Sequence, residues 1–140
     1  ELAGAPAPNA LAEDSISFVP ALAGSREPLR KTVFVETFRP NFIPSDGAPP
    51  DGYAPNEHDR AIRNDRYKLI RRERRNSAGV VVVEEELYDL TRPAPGAVQF
   101  DPFEAVNLRP AVTLGGSSPL DRAYAALSGE MQRRYPSLYR

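Results

Sequence analysis

Hydrophobic and polar positions along the chain mark out four strands and one amphipathic helix. TVFVETFR at 32–39 has the β-branched and aromatic richness of a strand, with Val33 and Val35 on one face and Phe34 and Phe38 on the other. Because both faces carry apolar groups, this strand is expected to be covered on both sides. Strands follow at 59–63 and 66–74, joined across Asn64-Asp65, residues that tolerate positive φ and suit a two-residue hairpin. Asn76-Ser77-Ala78-Gly79 turns the chain again into GVVVVEEELYDL. Near the C-terminus, Leu120, Ala123, Tyr124, Leu127 and Met131 share one stripe of a helix ending near Arg134. Ser118 stands as its N-cap, Pro119 at its first position and Asp121 at its third. The predicted class is α+β: a small, all-antiparallel four-stranded sheet, loop-rich, with the C-terminal helix packed on one face.

The rest is less regular. ELAGAPAPNALA at 1–12 suits the tail of a helix running into an extended linker. DSISFVPALAG at 14–24 predicts a short or kinked helix, capped by Asp14 or Ser15, with Ile16, Val19 and Leu22 on one face and Gly24 as its stop. Residues 40–57 form a long loop with five prolines and two Asp-Gly turn signals, and residues 91–118 show little periodicity. The domain reading is 1–25 as linker and short helix, and 26–140 as the sheet-and-helix unit.

Composition tightens this picture. The length suits one domain with a modest core, and fifteen prolines with nine glycines require much loop. A net charge of −1 gives no global field for nucleic acid or an anionic membrane, and no apolar run approaches the ~20 residues needed to span a bilayer. No signal-peptide pattern opens the chain. With no cysteine there are no disulfides, thiolate metal sites or cysteine nucleophile.

Candidate chemistry is sparse. Arg60, Arg63, Arg66, Lys68, Arg71, Arg72, Arg74 and Arg75 form a basic cluster, but Glu73 interrupts it. In a hairpin through 76–79, Glu84, Glu85 and Glu86 would lie across from the arginines. Paired sheet charges are therefore expected, not a nucleic-acid surface. His58 is the single histidine, where the long loop enters a strand, and its plain reading is a solvated loop histidine. Tyr88, Leu90, Phe103 and Leu108 are expected in the core. Asp89, Asp101 and Glu104 lack calcium-loop spacing, and Asp101 before Pro102, with Glu104, is expected to organise a turn or helix start.

Read in order, ELAGAPAP, DSISFVPALAG, VFVETF, RAIRNDRYKLI, EELYDL and DPFEAVNL resemble the C-terminal subdomain of the sulfatases, within the alkaline phosphatase superfamily. The resemblance runs over nearly the whole chain, with RPAPGAVQF at 92–100 as an insertion. It implies a four-stranded antiparallel sheet with a packed helix, and it places residues 1–25 as the continuation of a missing catalytic domain. It also implies sulfuric ester hydrolysis by the whole enzyme, with a formylglycine and a calcium ion in that domain. The formylglycine arises from a Cys/Ser-x-Pro-x-Arg motif, and this chain has none: Ser117-Ser118-Pro119-Leu120-Asp121 ends in aspartate where arginine should stand. Catalytic, cofactor and metal residues on this chain are therefore expected to be none.

The resemblance gives His58 a second reading, as a group that with Asn41 and Arg60 borders the substrate cleft. The implied partners are the missing catalytic domain or a second copy of the chain, with a sulfate ester as substrate of the full enzyme. A periplasmic or secreted location follows by resemblance alone. Beginning inside ELAG favours a truncated or processed chain. The rival expectation is an independent, non-catalytic protein- or carbohydrate-binding module.

Overall fold

A computed structural model describes residues 18–27, 29–39, 56–91, 101, 103–134 and 136–137. The chain separates into two compact units, Glu1–Lys31 and Thr32–Arg140.

In the first unit, helix α1 is a single turn, Val19–Leu22, with a proline near its start. Phe18 precedes it without a side-chain cap. The turn closes as expected at Gly24, whose φ of 85° only glycine adopts cheaply, while the Ser25 N–H reaches back to the Pro20 carbonyl at 2.9 Å. Asp14, Ser15 and Ile16 lie outside the described residues.

The second unit holds strands β1 (Val33–Arg39), β2 (Glu57–Arg63), β3 (Tyr67–Arg75) and β4 (Val81–Asp89), followed by a 3-10 turn at Arg109–Ala111 and helix α2 (Pro119–Arg134). The sheet order is β1-β2-β3-β4, and every neighbouring pair is antiparallel. The α+β fold with a four-stranded antiparallel sheet and a C-terminal helix is therefore the fold of this chain.

The turns are made by side chains more than by positive φ. Asn64 Oδ1 accepts the Arg66 N–H at 2.9 Å and the Tyr67 N–H at 2.7 Å, so residues 64–66 connect β2 to β3. The expected two-residue hairpin at Asn64-Asp65 does not form: among the described residues only Glu104 combines a side chain with positive φ. The next turn repeats the device, since Asn76 Oδ1 accepts from Ala78 and Val80 while Gly79 takes φ 77°.

Register explains the core. Phe34, Ile62, Leu69 and Leu87 lie opposite one another across the four strands. Ile62, Leu69 and Leu87 are buried with Tyr67, and Tyr124, Leu127 and Met131 of α2 complete the cluster. The helix stripe expected from the 3- and 4-residue spacing thus covers one sheet face. Its start is a reciprocal cap: the Ser118 N–H donates to Asp121 Oδ2 at 3.0 Å, and the Asp121 N–H donates to Ser118 Oγ at 3.1 Å.

Three expectations are corrected. Val33 and Val35 remain 49% and 58% exposed, because α2 covers only the Phe34 side of β1. Phe103, expected in the core, is 86% exposed. It sits at the tip of a turn in which Asp101 accepts the Ala105 and Val106 N–H groups, with Glu104 beside it at φ 52°. Asp101 thus organises a turn, as its sequence position suggests. His58 is no solvated loop residue: β2 begins at Glu57, and the imidazole is fully buried on it.

Candidate functional site

Beside the apolar row, the same sheet face carries two rows of polar groups. Glu36, Arg60, Arg71 and Glu85 lie opposite one another in the first, and Phe38, His58, Glu73 and Val83 in the second. The period of two along each strand makes these rows inevitable once the apolar row is fixed. A one-residue slip would send every member to the other face.

Arg60 and Arg71 stand directly opposite each other, an arrangement that is repulsive in isolation. Glu73 resolves it. Its Oε1 accepts Arg60 Nη2 at 2.5 Å and Arg71 Nε at 2.8 Å, while its Oε2 accepts the Ser137 hydroxyl at 2.6 Å. Arg71 also donates to Glu85 Oε1 at 2.9 Å. Glu85 Oε2 in turn accepts Arg109 Nε at 2.9 Å and the Tyr124 hydroxyl at 2.7 Å, and the Arg109 guanidinium lies over the Tyr124 ring. Two carboxylates and three guanidiniums therefore interlock on this face, drawing in β2, β3, β4, the 3-10 turn, α2 and the segment after it.

His58 joins this belt to β1. Its Nε2 lies 2.5 Å from Glu36 Oε1, its Nδ1 lies 3.6 Å from Glu73 Oε2, and its ring stacks on Phe38 with centroids 4.8 Å apart.

Burial and partners pull the ionisations in opposite directions. Burial works to raise Glu73, but hydrogen bonds from Ser137 and Arg71 and the charges of Arg60 and Arg71 outweigh it and hold the carboxyl below its ordinary value. Glu85 is also held low, because its bonds from Tyr124 and Arg109 and the charge of Arg71 outweigh burial. For Arg60 burial wins and lowers the guanidinium, though Glu73 opposes it. These carboxylates are saturated with donors and firmly ionised. None is poised to exchange a proton near neutrality, as a general acid or base must.

The other sheet face carries the pairs anticipated from the run of glutamates. Arg72 meets Glu86 at 2.6 Å, Arg74 pairs with Asp59, and Lys68 meets Glu104 at 2.6 Å. Arg66 forks onto Asp89 from the end of the hairpin. The basic cluster is thus largely neutralised within the sheet.

Of the residues named as bordering a substrate cleft, Asn41 lies outside the described residues. His58 and Arg60 come together in the belt, at 0% and 1% exposure, and present no side-chain surface to a ligand. Sequence reasoning missed Glu36 and Glu73 as their partners, and Arg109 and Tyr124 as partners of Glu85. Strand parity was the available signal, since it puts Glu73 in the same row as His58 once the hairpins are set. Among the described residues no group of three or more His, Cys, Asp or Glu side chains could hold a metal ion, and no helix is long and apolar enough to cross a membrane.

No family model matches the chain, and neither a curated protein nor a solved structure does.

Proposed function

We propose that this chain is the C-terminal subdomain of a sulfatase-like hydrolase, bordering the substrate cleft of a catalytic domain and carrying no reacting group itself. One observation carries the reading: VFVETF, RAIRNDRYKLI and EELYDL fall in order on β1, the β2–β3 hairpin and β4, and α2 packs on the sheet they form. That is the architecture the resemblance implies. The nucleophile and the cation would come from the catalytic domain, because a transferring group needs activation and charge stabilisation that the saturated belt cannot supply.

In this reading His58 and Arg60 act through what they position. His58 ties down β1 through Glu36 and Phe38, and Arg60 holds Glu73 beside it; β1 runs to Arg39, and the sequence reaches Asn41 two residues later. Asn41 is the group offered to the substrate, a sulfate ester. Replacing Asn41 with alanine in the full enzyme changes kcat/KM unequally across several sulfate esters. Equal values for all esters would remove it from the cleft.

The rival is an independent binding module, for which exposed Val33, Val35 and Phe103 would serve as contact surface. The upstream coding sequence separates the two. A Cys/Ser-x-Pro-x-Arg motif with paired aspartates belongs to the enzyme, and a start codon just before Glu1 belongs to the module.

A further inference from the structure

We propose that the valine end of β4 is a self-association strand, pairing antiparallel with the same strand of a second copy of this chain. Parity fixes which backbone groups face the outer edge of β4. The Asn76 N–H donates to the Val80 carbonyl across the β3–β4 turn at 2.9 Å, so the even-numbered residues bond inward to β3. The backbone groups of Val81, Val83, Glu85 and Leu87 therefore point outward. Leu87 bears this out: its N–H donates to Asn107 Oδ1 at 3.1 Å, and its carbonyl accepts the Leu108 N–H at 2.7 Å.

The fold thus covers one end of this edge and leaves the other open. At the covered end the 3-10 turn follows, bringing Arg109 onto Glu85. Toward the hairpin, no described residue bonds the outward N–H and C=O groups of Val81 and Val83. The side chains there are apolar on both faces, with Val80, Val82 and Val83 at 58%, 45% and 43% exposure. Sheet edges are commonly blunted by lysine, proline or a bulge. Val80–Val83 contains neither residue, and the register with β3 runs unbroken from Val81 to Asp89.

An open edge with valines on both faces fits an extended apolar strand. The segment itself meets that description in one register. With a two-fold axis at Val82, Val82 faces its own copy, and Val81 faces Val83 of the second copy on the opposite sheet face. Val81 and Val83 both point outward, so they exchange backbone bonds on either side of the axis. Glu84 then lies opposite Val80, and Glu85 opposite Gly79, so no two acids meet. An axis at Glu84 would set identical carboxylates against each other, which is unfavourable. Charge and valine pairing therefore select the same arrangement, and it joins two four-stranded sheets into one. This inference does not depend on the sulfatase reading, since it concerns one strand edge of the chain itself.

The chain has no cysteine, so single cysteines report the register. Val82→Cys sets two residues across the axis in a non-hydrogen-bonded pair, about 4.5 Å between Cα atoms and within disulfide reach. Val80→Cys, on the same face and no less exposed, holds its two Cα atoms more than about 13 Å apart. Under air oxidation Val82→Cys should give at least about tenfold more linked dimer than Val80→Cys. In sedimentation equilibrium the unmodified 140-residue chain should rise with concentration toward twice its mass. Val82→Lys, which sets two ammonium groups face to face at an exposed position, should stay at the single mass. Equal linkage at the two cysteine positions, undiminished association in Val82→Lys, or a single mass at every concentration would overturn the proposal. The last result would assign this edge to a different chain.

Discussion

The Arg60 guanidinium lies 2.5 Å from Glu73 Oε1, and both side chains are closed off from solvent. The pair is the centre of the belt, since the same carboxylate separates Arg60 from Arg71. Removing one partner strands the other without water. Glu73→Leu therefore lowers stability by about 3–5 kcal/mol, while the double change Arg60→Met with Glu73→Leu recovers much of that loss. Urea unfolding midpoints at constant m-value measure both. Additive losses would mean that the two charges act independently.

Acid should open the sheet through the same groups. Glu73, Glu85 and Asp89 are all held below their ordinary values, each because hydrogen-bonded donors and nearby guanidiniums outweigh burial. A depressed carboxylate contributes stability that is present above its unfolded value, about 4, and is lost as pH falls through the lower folded value. Thermal midpoints should stay level down to about pH 5 and then fall steeply. The fall should be shallower in Glu85→Gln, whose Arg109 and Tyr124 partners no longer meet an ionised carboxylate.

Tyr88 titrates in the opposite sense. Burial, the hydrogen bond with Glu86 and the nearby charges of Glu86 and Glu104 push its hydroxyl up to about 12. A raised phenol contributes stability that is fully present below about pH 10 and is lost as pH rises through the folded value. Tyr124 is raised as well, by burial and its bond to Glu85, so ultraviolet titration should show late tyrosinates, one of which is missing in Tyr88→Phe. Ionisation of every folded tyrosine near pH 10 would contradict that environment.

Helix α2 is held by packing and by its cap. Leu127 is 2% exposed in the core, so Leu127→Ala costs about 2–5 kcal/mol. Ser118→Ala removes the acceptor of the Asp121 N–H and costs about 1 kcal/mol. Gly116→Ala is also destabilising, since an added Cβ would meet the Asp121 carboxylate and lie 2.9 Å from the Thr113 carbonyl oxygen. Unfolding midpoints should rank Leu127→Ala well below Ser118→Ala.

Strand and helix periodicity were legible because local chemistry agreed with tertiary packing. The stripe from Leu120 to Met131 and the glutamates facing Arg71 and Arg72 needed no long-range information beyond one hairpin. His58 was misread because its exposure depends on where β2 begins, and two residues decide whether it lies in a loop or buried on the sheet. Phe103 was misread because an apolar side chain in a turn points wherever Asp101 directs the backbone. Arg109 and Tyr124 meet at Glu85 from segments 24 and 39 residues away, a convergence no local pattern encodes.

Turnover of an aryl sulfate tests the central claim most directly, comparing the 140-residue chain with the polypeptide of its full reading frame. The full polypeptide should hydrolyse the ester, and the chain alone should stay at the buffer rate. Hydrolysis by the chain alone, or a full reading frame that is inert toward sulfate esters and lacks the formylglycine motif, would contradict it.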